Sequence, residues 1–334
     1  MNRAYLFITA LFVLIFMSCQ SAKKNNTERQ NEIELIAEKQ LVFPLDEQTY
    51  YLSKSMFQFE ENGKEYLHFE NTQKSLYDIV IFDIENRQIA KRIPLSKTGP
   101  NGLPAVSGSR PSPDSEQILI SQNNIGRLST INNQGEVVRN YPVESPEGRF
   151  TAFFFCSYYN TPAFVKDSCI FLNQDILKPN MKREDWPQTH MFASLNLKTG
   201  KFKWVPIFYP PIFKEEYDNI AGGYGFSYDY NYKENRLVCG FFGYDSLMVT
   251  DDLKHIRWYN AKSRYLKSMK PKLGNSMEGI NAIIKLRETP KYWHIMYDKY
   301  RNVYYRFAEM PYKLAPNESP YDEPKGKEFS VIVL

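Results

Sequence analysis

Between Tyr77 and Leu95 the chain reads YDIVIFDIENRQIAKRIPL: Ile79, Ile81 and Ile84 with Val80 and Phe82 between them, polar Glu85-Asn86-Arg87, then a second apolar alternation through Ile89 and Ile93. Alternation at period two marks a strand and the polar break marks a turn, so this stretch predicts a hairpin. The turn formers Ser96-Lys97-Thr98-Gly99-Pro100-Asn101-Gly102 then carry the chain to its next unit.

The hairpin recurs, each time preceded by another strand pair. The first unit runs from Met56 to Leu95, its inner pair turning at Asn62-Gly63, a dipeptide suited to a two-residue hairpin. The second spans Ser107 to Val143, with turns at Ser112-Pro113-Asp114 and Gln134-Gly135. The third spans Phe153 to Ile207, turns at Thr199-Gly200, and holds an insertion, Asp175 to Gln188, whose Pro179, Trp186 and Pro187 argue against a strand. The fourth runs from Tyr224 to Tyr259, and the fifth begins at HIMYDKYRNVYYRF with a turn near Lys299 to Asn302. Asp83, Asn132, Asn196 and Asp251 stand at corresponding places after the first outer strand.

Repeats of four short strands with no helical segment between them favour an all-β fold, a β-propeller rather than a sandwich. The final residues, Phe329 to Leu334, read as an outer strand without its partner. We therefore expect four-stranded blades of the six-bladed type, in an open arc whose C-terminal blade is incomplete. The chain would be short by roughly 40 to 60 residues, with an exposed hydrophobic edge at Leu334.

The start of the chain changes the picture of where this body sits. Arg3 precedes an apolar run from Ala4 to Met17 that ends at Ser18-Cys19, too short to cross a bilayer and shaped like a secretory signal. Phe16-Met17-Ser18-Cys19 resembles a bacterial lipobox, which makes Cys19 the lipid attachment point. Residues 1–18 are then the signal, 19–32 a lipidated Cys and polar tether, and 33–334 the propeller. Lys23 and Lys24, with no acidic run, point to an outer-membrane, periplasm-facing position in the cell envelope.

With 42 Lys and Arg against 38 Asp and Glu, the charge balance implies no obligatory anionic partner. Aromatics at 15%, with 20 Pro and 16 Gly, suit many turns and strands. Cys156, Cys169 and Cys239 sit in apolar runs without Cys-x-x-Cys spacing, and read as buried strand residues. His68, His190, His255 and His294 are scattered, so no metal site is expected and no cofactor is implied. There is no Gly-x-Ser-x-Gly elbow and no phosphate loop.

Two stretches stand above background. Tyr224, Phe226, Tyr228, Tyr230 and Tyr232 alternate, so a strand puts them on one face, either as a platform for a sugar or peptide or as filling between blades. Lys254 to Lys272 interleaves Arg257 and Arg264 with Trp258, Tyr259 and Tyr265 and contains no acidic residue. A secretory signal sets nucleic acid aside as its partner, leaving an anionic headgroup or glycan, or a solvated connection between blades.

On the lipobox, the opening FPLDEQT, the EYLHFEN strand and the GPNG loop, the chain resembles bacterial lipoproteins described as TolB-like six-bladed β-propellers. More narrowly, it is similar to a domain-of-unknown-function branch of that group, over about Glu34 to Leu334. LNLKTGKFKW, Leu195 to Trp204, is similar to the repeat of quinoprotein-like eight-bladed propellers, but only one unit has it. The resemblance implies fold and envelope location and offers no catalytic residues. The expected function is a membrane-anchored module that binds an envelope protein or a saccharide. The alternative is a glycan- or peptide-directed hydrolase or lyase with carboxylates at the channel mouth.

Overall fold

In the computed structural model of the protein, the described residues are 40–49, 56–72, 77–112, 117–122, 126–143, 161–173, 187–211, 225–266, 269, 280–322 and 328–334. Phe43–Leu334 forms one compact unit; of the other, Met1–Val42, only residues 40–42 are described. Cys19, Cys156 and Tyr224 lie outside the described residues, as does most of the insertion after Asp175.

Strands follow the alternation. The first sheet is β1 (Phe57–Glu61), β2 (Lys64–Thr72), β3 (Tyr77–Asp83) and β4 (Gln88–Pro94). The second is β5 (Gly108–Pro111), β6 (Ile118–Gln122), β7 (Arg127–Ile131) and β8 (Val137–Pro142). The third is β9 (Phe164–Lys166), β10 (Cys169–Asn173), β11 (Phe192–Asn196) and β12 (Phe202–Trp204). The fourth is β13 (Phe226–Asn231), β14 (Arg236–Phe241), β15 (Ser246–Thr250) and β16 (Arg257–Asn260). The fifth has three strands, β17 (Lys291–Asp298), β18 (Val303–Glu309) and β19 (Phe329–Val333). Every pairing is antiparallel between strands adjacent in sequence, as expected of propeller blades.

The six-bladed expectation is thereby corrected to five. A helix, α1 (Ile280–Glu288), also stands between blades four and five, where none was expected. Its Ile280, Ile283, Ile284 and Arg287 follow helical spacing, a short signal inside a segment read as a connection.

Hydrophobic clusters glue successive blades. Ile79 and Ile93 of blade one pack with Ile118, Ile120 and Ile131 of blade two. Leu119 and Leu128 meet Val165, Ile170 and Leu195 of blade three. Phe164 and Phe192 meet Phe226, Tyr228 and Met248 of blade four, and Val238 and Leu247 meet Ile295 and Tyr304 of blade five. Among the described residues no such cluster joins blade five to blade one. There the contact is polar: Lys299 Nζ lies 2.8 Å from Glu65 and 3.0 Å from Glu60, and the Tyr300 hydroxyl donates to Glu65. The ends of the expected open arc therefore touch at this mouth. On β19 and just after it, Phe329, Val333 and Leu334 are exposed along the sheet edge.

Turn residues explain the recurrent Asp and Asn. Asp83 accepts from the Asn86 amide at 2.8 Å, Asn132 from Gln134 at 3.0 Å, and Asn196 from Thr199 at 2.8 Å. In blade four the role falls one residue later than expected, on Asp252, which accepts from the Lys254 and His255 amides at 2.9 and 2.8 Å. Side-chain oxygens that satisfy a turn's own amides are why these residue types occupy those places.

A cavity between blades one and two

The innermost strands turn their polar alternation toward one another. On β13, Phe226, Tyr228 and Tyr230 point into the blade-three cluster, so Ser227 and Asp229 must point the other way. Ser227 Oγ accepts from the Ile295 amide and Asp229 Oδ2 from the Tyr297 amide, each at 2.8 Å, which ties β13 to β17. Asp229 also accepts from the Tyr230 amide at 2.8 Å. It is half-buried, and desolvation lifts its carboxyl to about 6 against these two donors and the charge of Arg110. Arg110 belongs to β5 of blade two, and its charge still acts on Asp229 of blade four.

Blades one and two are joined near the centre by a buried polar chain. His68 Nε2 lies 2.6 Å from Ser109 Oγ, and that hydroxyl donates to Glu70. Since the hydroxyl proton goes to Glu70, Nε2 carries the proton toward Ser109, and Nδ1 is left buried without a partner. Burial first, and then the charge of Arg110, pushes His68 down to about 3, so the ring is neutral. The serine sits between histidine and carboxylate, an order that does not activate a nucleophile, and all three side chains are buried.

Outside this chain lies a cavity of about 800 Å³ between blades one and two, open at the mouth where the inner hairpins turn. Asn62 and Gly63, both at positive φ (52° and 75°), make the tight turn that brings the two strands of its first wall together. Phe59 and Tyr66 are direct cross-strand partners and stack at 5.4 Å. Phe57, Gln58 and Glu60 continue that wall; Ser112, Gln117 and Asn133 line the opposite side; Tyr232 and Lys299 reach in from blades four and five. Its carboxylates, Glu60 and Glu61, both come from β1, and Glu60 is paired with Lys299. Among the described residues no group of three His, Cys, Asp or Glu stands together in a metal-binding arrangement.

Arg110 is the residue here that sequence reading missed. Only 3% exposed, it lies with its guanidinium 4.4 Å from the centre of the Phe57 ring, and its Nε has no hydrogen-bond partner. A lone Arg inside the turn-rich GSRPSPDSE carries no recognisable signal. Of the expected platform, Phe226, Tyr228 and Tyr230 are buried between blades three and four; Tyr232 alone lines the cavity. Trp258 and Arg257 lie on β16, the outer edge of blade four, where Arg257 donates to Asp251 and Trp258 packs against Phe241 and Tyr244. Arg264 is exposed and covers its neighbour Tyr265. Cys169 and Cys239 are free thiols, and burial pushes that of Cys239 up.

Fold and cavity together define a five-bladed β-propeller with a ligand-sized cleft at one mouth. The chain belongs to the DUF4221 family, a domain of unknown function whose model matches residues 32–334. It is similar to the crystal structure of a DUF4221 member from Bacteroides vulgatus, with 85% identity, 91% of this chain and 84% of that chain covered, and a TM-score of 0.83. Two more distant likenesses carry no argument. One is a candidate exported protein of Bacteroides fragilis, at 8% identity with 80% of this chain and 71% of that chain covered and a TM-score of 0.47. The other is virginiamycin B lyase of Staphylococcus aureus, at 9% identity with 84% and 70% covered and a TM-score of 0.40. No curated protein matches the chain.

Proposed function

We propose that the propeller is a binding module, with the cavity between blades one and two as its ligand site, presented from the envelope by a lipid on Cys19. The observation that carries this reading is the lining. Aromatic rings and neutral polar groups such as Tyr66, Tyr232, Gln117 and Asn133 surround the space, while its two carboxylates come from a single strand. Hydrolysis of a glycosidic bond commonly uses two carboxyl groups flanking it, and the described lining offers carboxylates from one strand only. The sequence of residues 1–32 supports the anchor and a periplasm-facing position, with an envelope protein or a saccharide as partner.

A second reading, a hydrolase or lyase, draws on Asp229, whose carboxyl at about 6 suits proton transfer. Its two oxygens already hold the Tyr230 and Tyr297 amides, which favours a structural role.

Thermal-shift screening of the protein against saccharide and peptide panels tests the binding reading. A ligand that raises the melting temperature, and does so less in Tyr66→Ala, is the expected result. Release of product from any panel member, abolished in Asp229→Asn, would replace binding with catalysis. Cys19→Ala should lose lipid labelling and leave the membrane fraction; retention with unchanged mobility removes the anchor.

A further inference from the structure

A guanidinium shut away from water is strongly penalised unless something answers its charge. Arg110 is 97% removed from solvent by its 3% exposure, lines the cavity, and pairs with no described carboxylate. The Phe57 ring covers one face at 4.4 Å, leaving the donor edge as the part that can take a ligand. Asp229 feels the charge without forming an ion pair. The neighbouring charges deepen the deficit: Glu60 and Glu65 are engaged by Lys299, while Lys91, on the cavity wall, adds a second positive charge with no described partner. The missing element is an oxyanion, which the planar fork of an arginine binds through two parallel hydrogen bonds.

The rest of the lining narrows the anion's carrier. Phe59 and Tyr66, stacked at 5.4 Å, and the half-exposed Tyr232 offer ring faces of the kind that cover the apolar face of a sugar. Gln58, Gln117 and Asn133 each supply donors and acceptors together, as hydroxyl groups require. Resting on the binding-module reading, we propose that this cavity takes an acidic saccharide, its carboxylate or sulfate on Arg110 and a sugar ring against the aromatic wall.

Calorimetry on the full chain in detergent tests this with four probes: tetragalacturonate, a sulfated disaccharide, neutral maltotetraose and a glutamate-rich peptide. We expect one or both acidic sugars to bind at least tenfold more tightly than maltotetraose. Arg110→Gln should erase that preference, Arg110→Lys should keep part of it, and Tyr232→Ala should weaken the binding of acidic and neutral sugars alike. Equal affinity for acidic and neutral sugars, or a preference that survives Arg110→Gln, overturns the role of Arg110 and leaves the binding reading standing. Binding of the peptide alone overturns the saccharide class. If no probe binds, the inference fails, and the wider thermal-shift screen then decides the binding reading separately. Should Arg110→Gln fail to fold, Lys91→Ala decides: a severalfold loss confined to acidic sugars supports the site, and no change overturns it.

Discussion

The Nζ of Lys299 lies 2.8 Å from Oε1 of Glu65, and so the last blade of the chain is fastened to the first by the tips of two hairpins. Both groups are partly exposed, at 45% and 31% of their side chains, so the pair contributes at most about 1 kcal/mol to global stability. Its local effect is larger than that figure, because no described hydrophobic cluster spans the same junction. Lys299→Met should barely move the denaturation midpoint while speeding amide exchange in the β1–β2 and β17–β18 turns. Unchanged exchange in those turns would show that the junction is held elsewhere.

The same contact carries a pH dependence. Hydrogen bonds from Lys299 and Tyr300 hold the Glu65 carboxyl below its ordinary 4.5. A depressed folded-state value stabilises above the unfolded one, and that contribution is lost as pH falls through 4.5 toward the folded value. Amide exchange in these two turns should rise in that acid window in the wild type and be flat there in Glu65→Gln.

Asp229 has the opposite sign. Desolvation raises its carboxyl from 3.8 to about 6, so the folded state holds the proton more tightly than the unfolded state. Stability attributable to this group is therefore greatest below 3.8 and is lost as pH rises to about 6. The difference in urea midpoint between wild type and Asp229→Asn, followed from pH 4 to 7, should move against the wild type across that interval. A constant difference would show an ordinary carboxyl.

Tyr228 is fully buried, lies 5.0 Å from Phe192 edge to face, and donates its hydroxyl to the Thr161 carbonyl at 3.2 Å. Removing the ring should cost about 3 to 5 kcal/mol. Tyr228→Phe loses only the hydrogen bond, about 1 kcal/mol. Urea denaturation of the two variants separates packing from polar contact, and equal losses would assign the whole effect to the hydroxyl.

Two glycines with similar backbones should respond differently. Gly63 has φ +75° and open space around a would-be Cβ, whereas a Cβ on Gly135, at φ +82°, would stand 1.9 Å from the Pro94 carbonyl oxygen. Gly63→Ala should cost about 1 to 2 kcal/mol from its left-handed backbone alone. Gly135→Ala must in addition push the outer turn of blade two off β4, so its midpoint should fall clearly further. Equal losses in chemical denaturation would mean that the two blades are free to separate there.

Much of this fold was legible because it is local. Phe226 to Asn231 alternates in the sequence and alternates in space, and Asn62-Gly63 turns where its backbone preferences require. Blade number is another kind of quantity. It depends on the wedge angle at which Ile79 and Ile93 meet Ile118 and Ile120, a property of packed volumes that no period in the sequence records. The aromatic row was visible, but which neighbour each ring would meet was not, so Tyr232 at the cavity and Tyr228 in the core looked alike. Arg110 was invisible for the same reason: its meaning comes from Phe57, which another strand supplies, and from the lack of a described carboxylate beside it.

Among the described residues, four junctions between successive blades are oily and the fifth is wet, like a split washer closed by a clasp. Apolar junctions resist separation over many atoms, whereas the described contacts at this one are a few polar groups. Glu60 and Lys299 are at once parts of the clasp and walls of the cleft. A ligand of the proposed kind that drew either of them to itself would compete with the clasp, so linkage would tie its affinity to the closure of that junction.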